Sequence, residues 1–134
     1  MVNQANVSGE VAEAFAAVKG KHLRFAICKI EGAEVQLVGT GERTAPLEEL
    51  TAQLGDVPCY IVYDFEHTKA DTSTICKTCF INYSPDSCTS MQLKFALQNY
   101  KASVMSKINI QKEMQINDLA DLTQNEFLDA FNLN

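Results

Sequence analysis

The chain has 134 residues, 46% of them apolar, and a formal charge of -6. That length suits one globular domain over residues 1–134 and is too short for two ordinary ones. The acidic balance argues against broad attraction to nucleic acid or anionic lipid. No apolar run approaches membrane-spanning length, and "MVNQANVSGE" lacks the basic and hydrophobic regions of a secretion signal. The expectation is a soluble, intracellular, monomeric protein. Its five cysteines, an odd number spread over residues 28 to 88, suit reduced thiols better than a disulfide framework.

Ser8 is placed to cap a first helix in which Val11, Ala14, Phe15 and Val18 follow the i, i+3, i+4, i+7 spacing of one buried face, with Gly20 as its stop. "HLRFAICKI" (22–30) and "EVQLV" (34–38) then read as a hairpin around Glu31-Gly32. Thr44 is the expected cap of a second helix, with Pro46 in its first turn, Leu47, Leu50 and Leu54 on one side, and Gly55 closing it. "CYIVYDF" (59–65) is nearly continuous apolar sequence and reads as a strand covered on both faces. "EHTKADTST" (66–74) reads as a polar connection, with Asp64, Glu66 and His67 at a turn after the buried strand.

"KTCFINY" (77–83) reads as the next strand, and this decides the status of the Cys76-Lys-Thr-Cys79 pair just before and within it. Side chains alternate along a strand, so cysteines three apart point to opposite faces and cannot share a metal. A thiol oxidoreductase using Cys76 and Cys79 would instead need them at a helix start, where the dipole lowers the thiol pKa. His22 and His67 stand at no metal-motif spacing. The pair is read as small hydrophobes, with no metal, cofactor or catalytic constellation expected and no enzymatic activity implied.

The long helix predicted over about 88 to 108 carries two apolar stripes. Leu93, Leu97, Tyr100, Val104 and Ile108 form one; Met91, Phe95, Ala102 and Met105 form the other, edged by Lys94, Gln98 and Lys101. A helix apolar on two sides is sandwiched between layers or offers its outer face to a partner. Ser87 to Lys112 holds four lysines and no acid, whereas Glu113 to Asn134 holds five acids and no base. "INIQKEMQIND" then alternates as a strand with one wet face. "LTQNEF" opens a last helix with Thr123 as cap, Glu126 completing a capping box, and Leu122 with Phe127 as hydrophobic staple. The element order describes an α/β fold, a mixed sheet between helical layers.

These residues resemble the actin-depolymerising factor (ADF) and cofilin family. The likeness rests on "VSGEVAEAF" at the first helix, on "CYIVYDFEHT" and "KTCFINYSPD", and on "IQKEMQIND" after the long helix, and it runs in order over nearly the whole chain. It implies a single ADF-homology domain with a central mixed five- to six-stranded sheet sandwiched between helices. It also implies a cytoplasmic protein of the actin cytoskeleton that binds actin monomers and filament sides and promotes depolymerisation or severing, without covalent chemistry.

By that resemblance the monomer surface comprises the N-terminal segment, with Asn3 and Gln4, and the outer face of the long helix, with Met91, Lys94, Phe95, Gln98 and Lys101. The helix would lie in an apolar groove of actin through evenly spaced anchors. The filament surface would comprise Lys77, Lys112 and Glu113. It is depleted here, because Ile75 stands where a base is common and no base follows Lys112, so monomer binding is expected to exceed filament binding. "MQLKF" offers one lysine where the family usually has two bases flanking a methionine. The family's regulatory serine corresponds to Asn3, which cannot carry a phosphate, leaving Ser8 as the substitute. Tyr83 stands in place of a usual tryptophan, its hydroxyl expected to find a partner at the sheet end. Phosphoinositide binding around Lys94, Lys101, Lys107 and Lys112 is disfavoured by the overall charge. "SPDSC" and "DLTQNEFL" are shared with the glia maturation factor and coactosin branches, which would imply binding to the branch-nucleating actin-related complex, or to filaments without severing.

Overall fold

The computed structural model describes residues 6–32, 34–106, 110 and 112–133. Along the chain run β1 (Asn6–Val7), α1 (Gly9–Lys19), β2 (Leu23–Glu31), β3 (Glu34–Glu42), α2 (Leu47–Ala52), β4 (Cys59–Thr68), β5 (Thr74–Tyr83), α3 (Met91–Met105), β6 (Glu113–Ile116), a 3-10 turn (Leu119–Asp121) and α4 (Gln124–Ala130). The strands form one six-stranded sheet in the order β1-β3-β2-β4-β5-β6. The central pairings are antiparallel, while β1 on β3 and β6 on β5 are parallel, so the sheet is mixed as the sequence pattern requires.

The central strand β4 is buried from Cys59 to Phe65. Alternation sends Ile61, Tyr63 and Phe65 to one face, where they pack with Leu50 of α2 and Phe127 of α4. Tyr60 and Val62 go to the other face, against Val11, Phe15 and Val18 of α1 and Leu97 and Val104 of α3. Cys79, with no solvent exposure, lies on the α4 face with Ile81 and Tyr83, whereas Cys76 is only half-buried. The two cysteines thus divide between the faces as strand geometry demands. All described cysteines are free thiols.

The sequence expectations meet several corrections. Helix α1 has its Ser8 cap, the hydroxyl accepting from Val11 N–H at 3.3 Å. Gly20 is its C-cap, as expected, and the left-handed residue that follows is Lys21 (φ 69). The cost of that conformation, roughly 1–2 kcal/mol for a non-glycine residue, is offset by an ion pair from Lys21 to buried Asp64 at 3.1 Å. The second helix is shorter than expected: Pro46 stands at its N-cap with no side-chain hydrogen bond, so Thr44 does not cap it, and it ends at Gln53 rather than Gly55. Strands β4 and β5 extend into the polar stretch and pair from Cys59↔Tyr83 to Thr68↔Thr74, shrinking the connection to a tight turn. Alternation past Phe65 needs no apolar residues because the outer hairpin is solvated on one side. The strand in "INIQKEMQIND" is confined to Glu113–Ile116, and neither β1 nor the 3-10 turn was signalled by any periodic pattern, both being too short to have one. Thr123 caps α4 as expected, its hydroxyl accepting from Glu126 N–H at 3.3 Å, and Leu122 and Phe127 are both buried. Tyr83 donates its hydroxyl to the Gly55 carbonyl at 2.9 Å.

Two expected outcomes follow from this packing. A Cβ on Gly41 would lie 2.1 Å from the ring of fully buried Phe25, so Gly41→Ala should destabilise by about 3 kcal/mol through overpacking; an unchanged urea midpoint would contradict that register. Burial raises the thiol pKa of Cys28, Cys59 and Cys79, that of Cys59 to about 12. Because the folded values lie above the unfolded ones, this stability is complete below about pH 8.5 and is lost as pH rises. Above that point stability should fall by about 1.4 kcal/mol per pH unit for each thiol, read as a declining urea midpoint between pH 8 and 10.

Candidate functional site

The outer face of α3 is the site that the sequence singled out. Ser90 starts the helix, its hydroxyl accepting from Leu93 N–H at 3.3 Å. Leu97 and Val104 are fully buried against the sheet, with Leu93 and Tyr100 half-buried beside them. The buried Tyr60 hydroxyl donates to the Leu97 carbonyl, tying the middle of the helix to the central strand. With that side held down, Met91 and Phe95 stand outward, 59% and 61% exposed. They border a shallow hollow of about 520 Å³ that also reaches Gly32, Asn99 and Tyr100. Met105 departs from the predicted outer stripe. It is half-buried against the core, because a helical wheel fixes angle alone and the far end of α3 lies over the sheet.

The remaining predicted residues divide as follows. Lys94 is half-buried and Gln98 exposed, both on α3. Lys101 reaches off the helix to Glu113 of β6 at 2.8 Å, so residues assigned by resemblance to two different surfaces are joined by an ion pair. Lys77 is exposed on β5 opposite Phe65. The Lys112 amino group lies 5.9 Å from the centroid of the Phe131 ring, a cation–π contact. Asn3 and Gln4 lie outside the described residues, as do Lys107 and Ile108.

A polar cluster was missed. Asp64, read as part of a turn, is completely buried and bonded to Arg43 at 2.7 Å, Lys21 at 3.1 Å and the Thr78 hydroxyl at 3.0 Å. Arg24 joins it, donating to the Asp64 carbonyl at 2.9 Å and to Glu66 at 3.2 Å. Partial burial works to lower the pKa of Arg43, but the hydrogen bond and charge of Asp64 prevail and raise it. The sequence signal for this cluster was an acid inside an otherwise apolar strand, which needs cationic partners. Every member is engaged by another, so the cluster joins α1, β2, β4 and β5 and presents no free base or nucleophile. Among the described residues no group of three or more His, Cys, Asp or Glu side chains is arranged to hold a metal, and no helix is long and apolar enough to cross a membrane.

A face of exposed apolar anchors on a rigidly held helix is a geometry for docking another protein. Comparison with known proteins agrees with that character. Residues 4–132 match the family model of the cofilin/tropomyosin-type actin-binding protein. Actin-depolymerizing factor 12 of Arabidopsis thaliana is 30% identical over 129 residues, covering 92% of this chain and 93% of that one. Among solved structures, actin depolymerization factor 2 of Plasmodium berghei superposes with a TM-score of 0.82 at 25% identity over 100% of both chains. Coactosin of Entamoeba histolytica superposes at 0.81 with 22% identity, over 98% of this chain and 97% of that one. The chain belongs to the ADF/cofilin family of actin-binding proteins.

Proposed function

We propose that this protein binds actin monomers through the outer face of α3, engages filament sides more weakly, and promotes filament disassembly without catalysing a reaction, acting at the actin cytoskeleton in the cytoplasm. The observation that carries the reading is the pair Met91 and Phe95, exposed on one ridge of a helix whose opposite ridge is buried. Two large apolar side chains one turn apart, beside Lys94 and Gln98, are the anchors by which a helix is held in an apolar groove. The weaker filament contact is supported by charge. Lys77 is the exposed base on its part of the sheet, Ile75 is its apolar neighbour, and Lys112 is already engaged with Phe131.

High-speed cosedimentation with preassembled filaments tests the activity: actin should move into the supernatant. Pelleting of the protein with intact filaments would instead favour a coactosin-like, non-severing binder, and movement of neither would reject actin disassembly. Phe95→Ser should weaken affinity for monomeric actin by at least about tenfold, as expected of a central apolar anchor, with thermal unfolding unchanged because the side chain lies outside the core. Lys77→Glu should reduce cosedimentation with filaments and leave monomer affinity as it was. Equal losses on both forms of actin would mean that the two surfaces are one.

A further inference from the structure

On the opposite side of the sheet from α3, a cleft of about 480 Å³ opens between α2, β4 and the segment entering α4. This volume falls within the ordinary range of small-molecule sites. Its floor is apolar, made by Tyr63, Phe65 and Leu122, which are 6%, 4% and 3% exposed. The Tyr63 ring stacks on Phe127 at 4.8 Å between centroids, so packing on both sides fixes its position. Its hydroxyl has no hydrogen-bond partner among the described residues, although Tyr60 and Tyr83 both place theirs on backbone carbonyls. That hydroxyl is not sealed in the core: among the described residues the side-chain polar atoms buried without a partner are those of Asn82, and the Tyr63 hydroxyl opens onto the cleft it lines, an accessible donor for a bound molecule.

The charge of the cleft is one-sided. Glu48 and Glu66 line it and no lysine or arginine does. Glu66 is already held by Arg24 at 3.2 Å and Arg43 at 3.9 Å. Glu48 is exposed on α2 and has no ion-pair partner among the described residues. Burial, opposed by Arg24 and aided by Glu48 among lesser contributors, pushes the Tyr63 phenol up to about 12, so it remains a protonated donor at neutral pH.

We propose that this cleft is a binding site for a small organic cation, an amine protonated at neutral pH and carried on a compact apolar body. The apolar body lies over Tyr63, Phe65 and Leu122, the ammonium meets Glu48, and the Tyr63 hydroxyl bonds a polar atom of the ligand. Anionic ligands are excluded by the unneutralised carboxylate at the rim. The site is separate from α3 and does not depend on the actin reading.

The test uses tryptamine as probe and indole-3-propionate as its anionic counterpart, each titrated into the full-length protein while amide shifts are followed by NMR. Tryptamine should shift the amides of Thr51, Tyr63 and Thr123 saturably, and the propionate should not. Glu48→Gln should weaken tryptamine by about tenfold, and Tyr63→Phe by about fivefold, the losses expected when a charged and a neutral hydrogen bond are removed. Because Glu48 is exposed, its variant keeps the test valid even if Tyr63→Phe disturbs the fold. Equal binding of both probes, shifts confined to α3, no saturable shift at all, or an unchanged affinity in Glu48→Gln would each overturn the proposal.

Discussion

The structure depends on one strand being buried on both sides. From Cys59 to Phe65 β4 has no wet face, and a strand with two apolar faces is stable only between two layers of cover. That requirement places α1 and α3 on one side and α2 and α4 on the other. It also sets the cost of the single charge in the run. Asp64 cannot reach water, so cations must be brought to it: Lys21, just past α1, and Arg43, just past β3, pair its carboxylate, while Arg24 of β2 bonds its backbone carbonyl. The left-handed backbone at Lys21 belongs to the same account, because the ion pair holds that residue in a conformation it would otherwise avoid.

The outer face of α3 follows from the same strand. Tyr60 of β4 bonds the Leu97 carbonyl and fills the space beneath the helix. Leu97 and Val104 then fix which ridge faces in, and Met91 and Phe95 are outward as a consequence of that choice. The ion pair from Lys101 to Glu113 ties the helix to the edge strand β6. A helix held at its middle and its second half presents its first half as a rigid surface, and rigidity of that kind lowers the entropy a surface loses when it docks a partner.

Much of this was legible in the chain. The first helix, with its cap and four buried positions, the two-faced strand, and the start of the last helix appear as local patterns alone imply. Those patterns are strong because each repeats a period or uses a capping group within three residues. Legibility was poorer where one element depends on another. Thr44 resembles a cap, but Pro46 begins the helix; the strained turn falls at Lys21, where no local pattern marks it; Met105 lies on the outer wheel position, yet the sheet covers it. Neither the Asp64 cluster nor the cleft below Tyr63 has a motif, since their members are separated by tens of residues and meet only through strand register and helix packing.

The sequence by itself determined the class of the fold, the opposite facing of Cys76 and Cys79, and the amphipathic character of α3, because periodicity and alternation are properties of a local backbone. Only the tertiary structure decided which of two apolar helical ridges is buried, that the carboxylate of an acid inside a strand has two cationic partners with a third cation on its backbone carbonyl, and that the Tyr63 hydroxyl opens onto a cleft where those of Tyr60 and Tyr83 bond backbone carbonyls. These outcomes depend on which surfaces meet, and that is set by the whole sheet rather than by any segment's own pattern.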